Sequence, residues 1–197
     1  CNFTCRTCGG WFSSSWYTEE EELYGKRSYP KIMFAGRTET DMWEQLEPHI
    51  PYLEQVYFAG GEIIITPEHY DCLDYWIENG INETIELTYT TNLSTLKGYK
   101  DRDLIEYWKK FPKLQIWASL DAMGPTAECI RKGTDWAQVE QNRRDMISIC
   151  PEVDFYISPT LSILNAEHLP DFHRAWTEAG SRLRTPPRRR PRCRSRR

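Results

Sequence analysis

The sequence has 197 residues, is 40% hydrophobic and 27% charged, and carries a formal net charge of −4, which is typical of one globular domain. It contains no run of about 18 apolar residues, so we expect no membrane-spanning helix. The sequence has seven cysteines, which is an odd number, and shows no secretory signal. Both observations argue against a disulfide framework and favour a reducing, cytoplasmic compartment. Because the first residue is a cysteine, we expect the sequence to be a fragment or a processed form.

The chain opens with CNFTCRTC, in which Cys1, Cys5 and Cys8 follow a C-x3-C-x2-C spacing. Thiolates are soft ligands that select zinc, copper(I) or iron–sulfur clusters. A closed zinc site needs a further pair of ligands, and the nearest candidates, His49, His69 and Cys72, form no C-x2-C or H-x3-H unit. A cluster held entirely by protein needs four cysteines. Three thiolates would hold three irons of a 4Fe-4S cluster and leave the fourth iron open to another ligand.

The next segment, residues 9–39, is acidic and aromatic without a clear period, and we expect a long loop with one short helix at its glutamates. From residue 40 onward, strand-like and helix-like segments alternate. Apolar and β-branched runs predict strands at about residues 55–59, 84–91, 114–121 and 153–160. Helical periodicity predicts helices within residues 38–50, 67–80, 101–111, 135–149 and 166–180. This alternation predicts an α/β fold with a parallel sheet and helices outside it. The near-continuous apolar strands are typical of a sheet whose faces are both covered.

The end of the chain differs sharply in composition from the rest. Residues 182–197 hold nine arginines and no acid, which leaves 16 basic against 29 acidic residues, a net charge of −13, in the preceding chain. We therefore divide the chain into a domain at 1–180 and an Arg/Pro-rich disordered tail at 181–197. A frame-shifted, non-native terminus would also explain this change. A nucleic-acid partner is disfavoured because the body is acidic and the tail has no aromatic residue to stack on a base.

Polar residues end the predicted strands, at the edge where βα folds bind ligands. YFAGGE places Gly60, Gly61 and Glu62 after the first strand, although a lone G-G-E is also typical of a simple turn. The second strand ends in Thr91 and Asn92, which also suit a polar turn with an asparagine cap.

Ser119 and Asp121 lie at the end of the third predicted strand, and Arg131 follows ten residues later. An arginine is a natural bidentate partner for a carboxylate, although a surface pair beside Lys132 is the alternative interpretation.

Taken in this order, the motifs resemble those of the radical S-adenosylmethionine (SAM) superfamily. The similarity is greatest to its peptide- and protein-modifying members with SPASM or twitch extensions. The resemblance spans residues 1 to about 180 and implies a partial (β/α)6 TIM-like barrel, with parallel strands and outer helices, that is incomplete at both ends. Thr7, in place of a bulky residue before Cys8, and the lack of a proline after Glu62 depart from the family pattern.

The resemblance also implies the cofactors and their ligands. Cys1, Cys5 and Cys8 would hold a 4Fe-4S cluster whose open iron binds SAM. Thr160 and Asn165 would lie near the SAM ribose. The implied SAM-binding residues are Gly60, Gly61 and Glu62 for the amino group, Ser119 and Arg131 for the carboxylate, and Thr91, Asn92 and Asp121 lining the pocket.

The implied activity is reductive cleavage of SAM to a 5′-deoxyadenosyl radical, which abstracts hydrogen from a substrate. The branch suggests a peptide or protein substrate, and an electron donor such as a flavodoxin or ferredoxin would be needed. The alternative function is a non-catalytic iron–sulfur or zinc-binding module.

Overall fold

The computed structural model describes residues 1–32, 36–38, 40–150 and 153–179. Four strands within these ranges form one parallel sheet in the order β2-β3-β4-β6, and two short strands form a separate pair. In chain order the strands are β1 (Thr4–Cys5), β2 (Gln55–Phe58), β3 (Glu86–Thr91), β4 (Lys113–Ala118), β5 (Arg131–Lys132) and β6 (Asp154–Ile157). The four predicted strands are therefore confirmed, and their order in the sheet follows their order in the chain.

Helices connect and follow the strands. The α-helices are α1 (Ser14–Tyr24), α2 (Asp41–Leu46), α3 (Pro67–Glu78), α4 (Leu104–Trp108), α5 (Gly124–Ile130), α6 (Trp136–Ile149) and α7 (Leu169–Glu178). Short 3-10 helices occur at Glu47–Tyr52, Ile63–Ile65, Ile81–Glu83 and Tyr99–Asp101. The helix α2 is shorter than predicted because Pro48 and Pro51, which lack a main-chain N–H, follow it and the chain continues as a 3-10 helix.

The hydrophobic core lies on one face of the sheet. Alternate strand residues such as Leu87, Tyr89 and Ile116 are fully buried and pack with side chains from the helices, including Trp76 and Trp108. The opposite face carries alternate strand positions that are polar or aromatic, of which Thr88 and Tyr156 are buried and Tyr57 is exposed. These positions on the second face include Tyr57, Thr88, Thr90, Gln115, Trp117 and Tyr156.

The helix that was expected at the glutamates after the cysteines is confirmed as α1, which is 11 residues long. No residue of α1 is buried, so the helix has no apolar stripe on the core. The short helix α5 and the strand β5 were not predicted. Strand β5 pairs antiparallel with β1, with Lys132 opposite Thr4 and Arg131 opposite Cys5, so the all-parallel expectation fails for this pair.

The sheet is open, and the described ranges form neither six parallel strands nor a closed barrel. The α/β class and the parallel sheet of the predicted partial barrel are confirmed. No helix among the described residues combines the length and apolar character needed to span a bilayer. The predicted tail at 181–197 lies outside the described residues, so its division from the domain stays a prediction.

Candidate functional site

The carboxyl ends of the parallel strands bring most of the predicted site residues to one edge of the sheet. Glu62 follows β2, and Thr91 ends β3. Ser119, which is half-buried, follows β4, and its main-chain N–H donates to the carbonyl of Thr91 at 2.7 Å. Because parallel neighbours end at the same edge, these polar residues meet although they lie about 30 residues apart in sequence.

Glu62 is the buried carboxylate of this edge. It is 2% exposed, and its two oxygens accept hydrogen bonds from Thr91 Oγ1 at 2.9 Å and from the N–H of Asn92 at 2.8 Å. Burial raises the pKa of Glu62, while these hydrogen bonds and the ammonium group of Cys1 oppose that rise. A carboxylate offers about four lone-pair directions, so Glu62 can accept a further donor such as an ammonium group.

The two positions before Glu62 each favour glycine, but for different structural reasons. Gly60 has φ +128°, a conformation that L-residues rarely adopt. A Cβ on Gly61 would lie 2.8 Å from the main-chain nitrogen of Cys1. Gly61 therefore permits direct contact between the Gly60–Glu62 loop and the cysteine loop at residues 1–8, two motifs that lie more than 50 residues apart.

Asp121 and Arg131 form a bidentate ion pair. Arg131 Nε donates to Oδ2 of Asp121 at 2.8 Å, and Nη2 donates to Oδ1 at 3.1 Å. The N–H of Thr160 donates to the same Oδ1 at 2.7 Å, and Asn165 Nδ2 donates to the carbonyl of Asp121 at 2.9 Å. The surface-pair alternative for Arg131 is thus wrong, since its partner is a buried carboxylate. Two of the five guanidinium N–H groups are used by this pair.

The three clustered cysteines are free thiols: Cys5 is buried, Cys1 half-buried and Cys8 exposed. Burial raises the pKa of Cys5, and the charge of the nearby Arg131 opposes this rise. Their donor atoms suit an iron–sulfur cluster. Within the described part of the chain, however, no three His, Cys, Asp or Glu side chains form a group that could hold a metal ion. The three thiols are suitable ligands for a cluster and lie on one loop, but their side chains do not form a preassembled metal site.

Asn2 is a site residue that the sequence analysis missed. Its Oδ1 accepts from Asn92 Nδ2 at 2.8 Å, and its Nδ2 donates to Ser94 Oγ at 3.0 Å. Asn2 thereby links the cysteine loop to the end of β3. No local pattern could have shown this link, because the partners lie about 90 residues away.

Neither a protein-family model nor a curated protein sequence matches this chain. Solved structures do match it. Native anSMEcpe with bound AdoMet superposes with a TM-score of 0.63 at 19% identity, covering 93% of this chain and 47% of that protein. The complex of anSMEcpe with AdoMet and Cp18Cys peptide gives 0.59 at 19% identity, covering 93% and 46%. Streptococcus suis SuiB bound to S-adenosylmethionine gives 0.59 at 15% identity, covering 91% and 36%.

The chain spans less than half the length of each of these proteins. At 15–19% identity the likeness is one of fold. Nearly the whole of this chain follows that fold, with its four parallel strands and the cysteine loop at their carboxyl edge. The chain therefore has the fold of the corresponding part of these AdoMet-bound structures, and this is the fold that its motifs predicted.

Proposed function

We propose that this chain is the core of a radical SAM enzyme that binds SAM at the carboxyl edge of its sheet and acts on a peptide or protein. One observation carries the proposal. The loop that bears Cys1, Cys5 and Cys8 touches the loop that bears Gly61 at this edge. The fold that brings them together is also that of structures with bound AdoMet.

In this proposal, Cys1, Cys5 and Cys8 hold a 4Fe-4S cluster. When bound, the cluster supplies the electron that cleaves SAM reductively and yields the 5′-deoxyadenosyl radical. A flavodoxin or ferredoxin would be the source of that electron.

The residues of the edge have separate roles toward SAM. Glu62 accepts a hydrogen bond from the amino group, because its buried carboxylate has acceptor capacity beyond its protein partners. Arg131 and Ser119 bind the carboxylate, with Asp121 fixing the plane of the guanidinium. Thr91 and Asn92 orient Glu62. The burial of Glu62 and Asp121 excludes water from this edge, which strengthens their electrostatic interactions.

The peptide or protein substrate is proposed from the neighbouring structures. Two of them are complexes with peptides: anSMEcpe with the Cp18Cys peptide, and SuiB with its precursor peptide SuiA, which matches at a TM-score of 0.54. The reaction performed on the substrate stays outside this proposal.

The test is anaerobic reconstitution of the full chain with iron and sulfide, followed by incubation with SAM and dithionite. We expect iron incorporation and formation of methionine and 5′-deoxyadenosine, measured by chromatography. Cys5→Ala should abolish both, while Cys129→Ser, which changes an exposed cysteine outside the loop, should retain both. Iron loading without cleavage would favour the non-catalytic module. Absence of both iron loading and SAM binding in the parent protein would contradict the proposal.

A further inference from the structure

The first turn of α1 folds back onto the cysteine loop that precedes it. Three side chains of this turn donate hydrogen bonds to three main-chain carbonyls of the loop. The bonds run from Ser15 Oγ to Cys1 O at 2.7 Å, from Ser13 Oγ to Phe3 O at 2.8 Å, and from Trp16 Nε1 to Cys5 O at 3.1 Å. The acceptors are alternate residues, so one side of the loop main chain faces the helix.

Ser13 shows that these bonds are not ordinary helix capping. It stands at the N-cap position of α1, where a serine usually accepts a hydrogen bond from a free N–H of the first turn. Here the Ser13 side chain makes no cap hydrogen bond and instead donates to the carbonyl of Phe3. Ser13 is also 2% exposed, so this hydroxyl group is fully committed to the loop.

The opposite side of the loop is held by strand β5 and by Ile130, which precedes it. Cys5 pairs with Arg131 in the antiparallel β1–β5 ladder, and the N–H of Arg6 donates to the carbonyl of Ile130 at 2.8 Å. The main chain around Cys5 thus lies between α1 and β5, whereas Cys8 lies beyond both and is exposed.

We propose that Ser13, Ser15 and Trp16, here named the α1 clasp, are positioning residues for the cysteine loop. The clasp fixes the main chain at Cys1 and Cys5, so the loop is held in place before any metal binds. The importance of this fixed loop conformation for a cluster rests on the proposed function. The effect of the clasp on the thiols is independent of the proposed function, because it can be measured in the metal-free protein.

The experiment measures iodoacetamide labelling of each cysteine by mass spectrometry in the reduced, metal-free full chain. Labelling of a buried thiol requires local opening, and loss of one hydrogen bond should raise the population of the open state by about 2- to 10-fold. Trp16→Phe, which removes only the N–H donor and part of the ring, should therefore speed labelling of Cys5 by this factor. Cys1 is half-buried, so Ser15→Ala should speed its labelling by a factor at the lower end of this range, and Ser15→Thr, which keeps the hydroxyl, should restore the parent rate.

Three cysteines in the same molecule serve as internal references. Cys8 and Cys129 are exposed and should label at unchanged rates, and the buried Cys72 reports global unfolding. Matched variants outside the loop, Trp43→Phe on α2 and Ser148→Ala on the exposed side of α6, should leave Cys1 and Cys5 unaffected.

Unchanged labelling of Cys5 in Trp16→Phe and of Cys1 in Ser15→Ala would overturn the proposal. An equal increase at Cys72 would overturn it too, because the change would then be global. As a second measurement, iron reconstituted into Trp16→Phe should show an altered electron paramagnetic resonance signal compared with the parent and with Trp43→Phe. A parent protein that binds no SAM would defeat the proposed function but would leave the labelling result intact.

Discussion

Replacing Arg131 with alanine should destabilise the fold by about 3 kcal/mol, because it leaves a buried carboxylate without its cation. The side chain of Asp121 is 1% exposed and that of Arg131 is 14% exposed, so solvent cannot replace the lost partner. The variant removes both N–H···O bonds of the pair, at 2.8 and 3.1 Å.

The magnitude follows from what remains around Asp121. Removing one partner of a buried ion pair typically costs about 3–5 kcal/mol. In this chain the N–H of Thr160 still donates to Oδ1 of Asp121, so only Oδ2 loses its charged donor without replacement. The loss should therefore fall at the lower end of that range.

The assay is urea unfolding followed by circular dichroism, with the free energy of unfolding extrapolated to water. The control is Arg174→Ala, whose ion pair with Asp171 on α7 is more than three-fifths exposed at both side chains. An exposed pair of this kind contributes about 0–1 kcal/mol. A loss in Arg131→Ala no larger than that in Arg174→Ala would refute the argument that burial makes the Asp121 pair important.

Three further predictions concern the cofactors and pH. Cys5→Ala should abolish iron loading after anaerobic reconstitution, and loading equal to that of Cys129→Ser would contradict the three-cysteine assignment. Glu62→Gln should weaken SAM binding about 10-fold or more in calorimetry while iron content is retained, since it removes a charged acceptor; unchanged affinity would exclude Glu62 from the site. Burial lowers the pKa of His69 to about 3. His69 is therefore protonated below about pH 6.5 in the unfolded chain but stays neutral in the folded chain. Stability should therefore fall as pH falls below 6.5, by about 2 kcal/mol more in the parent than in His69→Gln between pH 7 and pH 5; equal losses would place the titration elsewhere.

Much of the sheet could be predicted from the sequence, because its signals are local. The β-branched run before Thr91 and the apolar run before Ser119 each form a strand, as predicted. Proline at the start of α3 and Gly80 just after its end also behave as expected, and Gly80 takes φ +70°. These features depend on propensity and period, which a single sequence contains.

The helix α1 was predicted only as a short helix at the glutamates and its bounds were not, because hydrogen bonds rather than an apolar stripe hold it in place. None of its residues is buried, and its contacts with the rest of the chain include polar ones, such as Trp16 to the carbonyl of Cys5. For a related reason, strand propensity does not specify what packs against the second face of the sheet. Thr88, Thr90 and Trp117 suit a strand by propensity, which carries no information about the neighbours of a face.

The strand-end positions of the candidate site residues could be predicted, but their mutual contacts could not. Glu62 and Asp121 follow β2 and β4 at one edge of the sheet, and their roles toward SAM stay predictions. That Arg131 pairs with Asp121 depends on the short helix α5, which turns the chain back within ten residues. That Asn92 bonds Asn2 depends on the whole sheet being formed.

These contacts form two series of interactions that both end at the cysteine loop. One runs from Glu62 through Asn92 to Asn2, and the other from Asp121 through Arg131 to the loop at Cys5. Residues in one network do not contribute additively to stability or binding. A substitution at either strand end should therefore also change the conformation of the cysteine loop. Two substitutions within one series of interactions should have non-additive effects on stability. Two substitutions taken from different series should be closer to additive. This connection explains why motifs spread over 130 residues are informative together although each is weak alone.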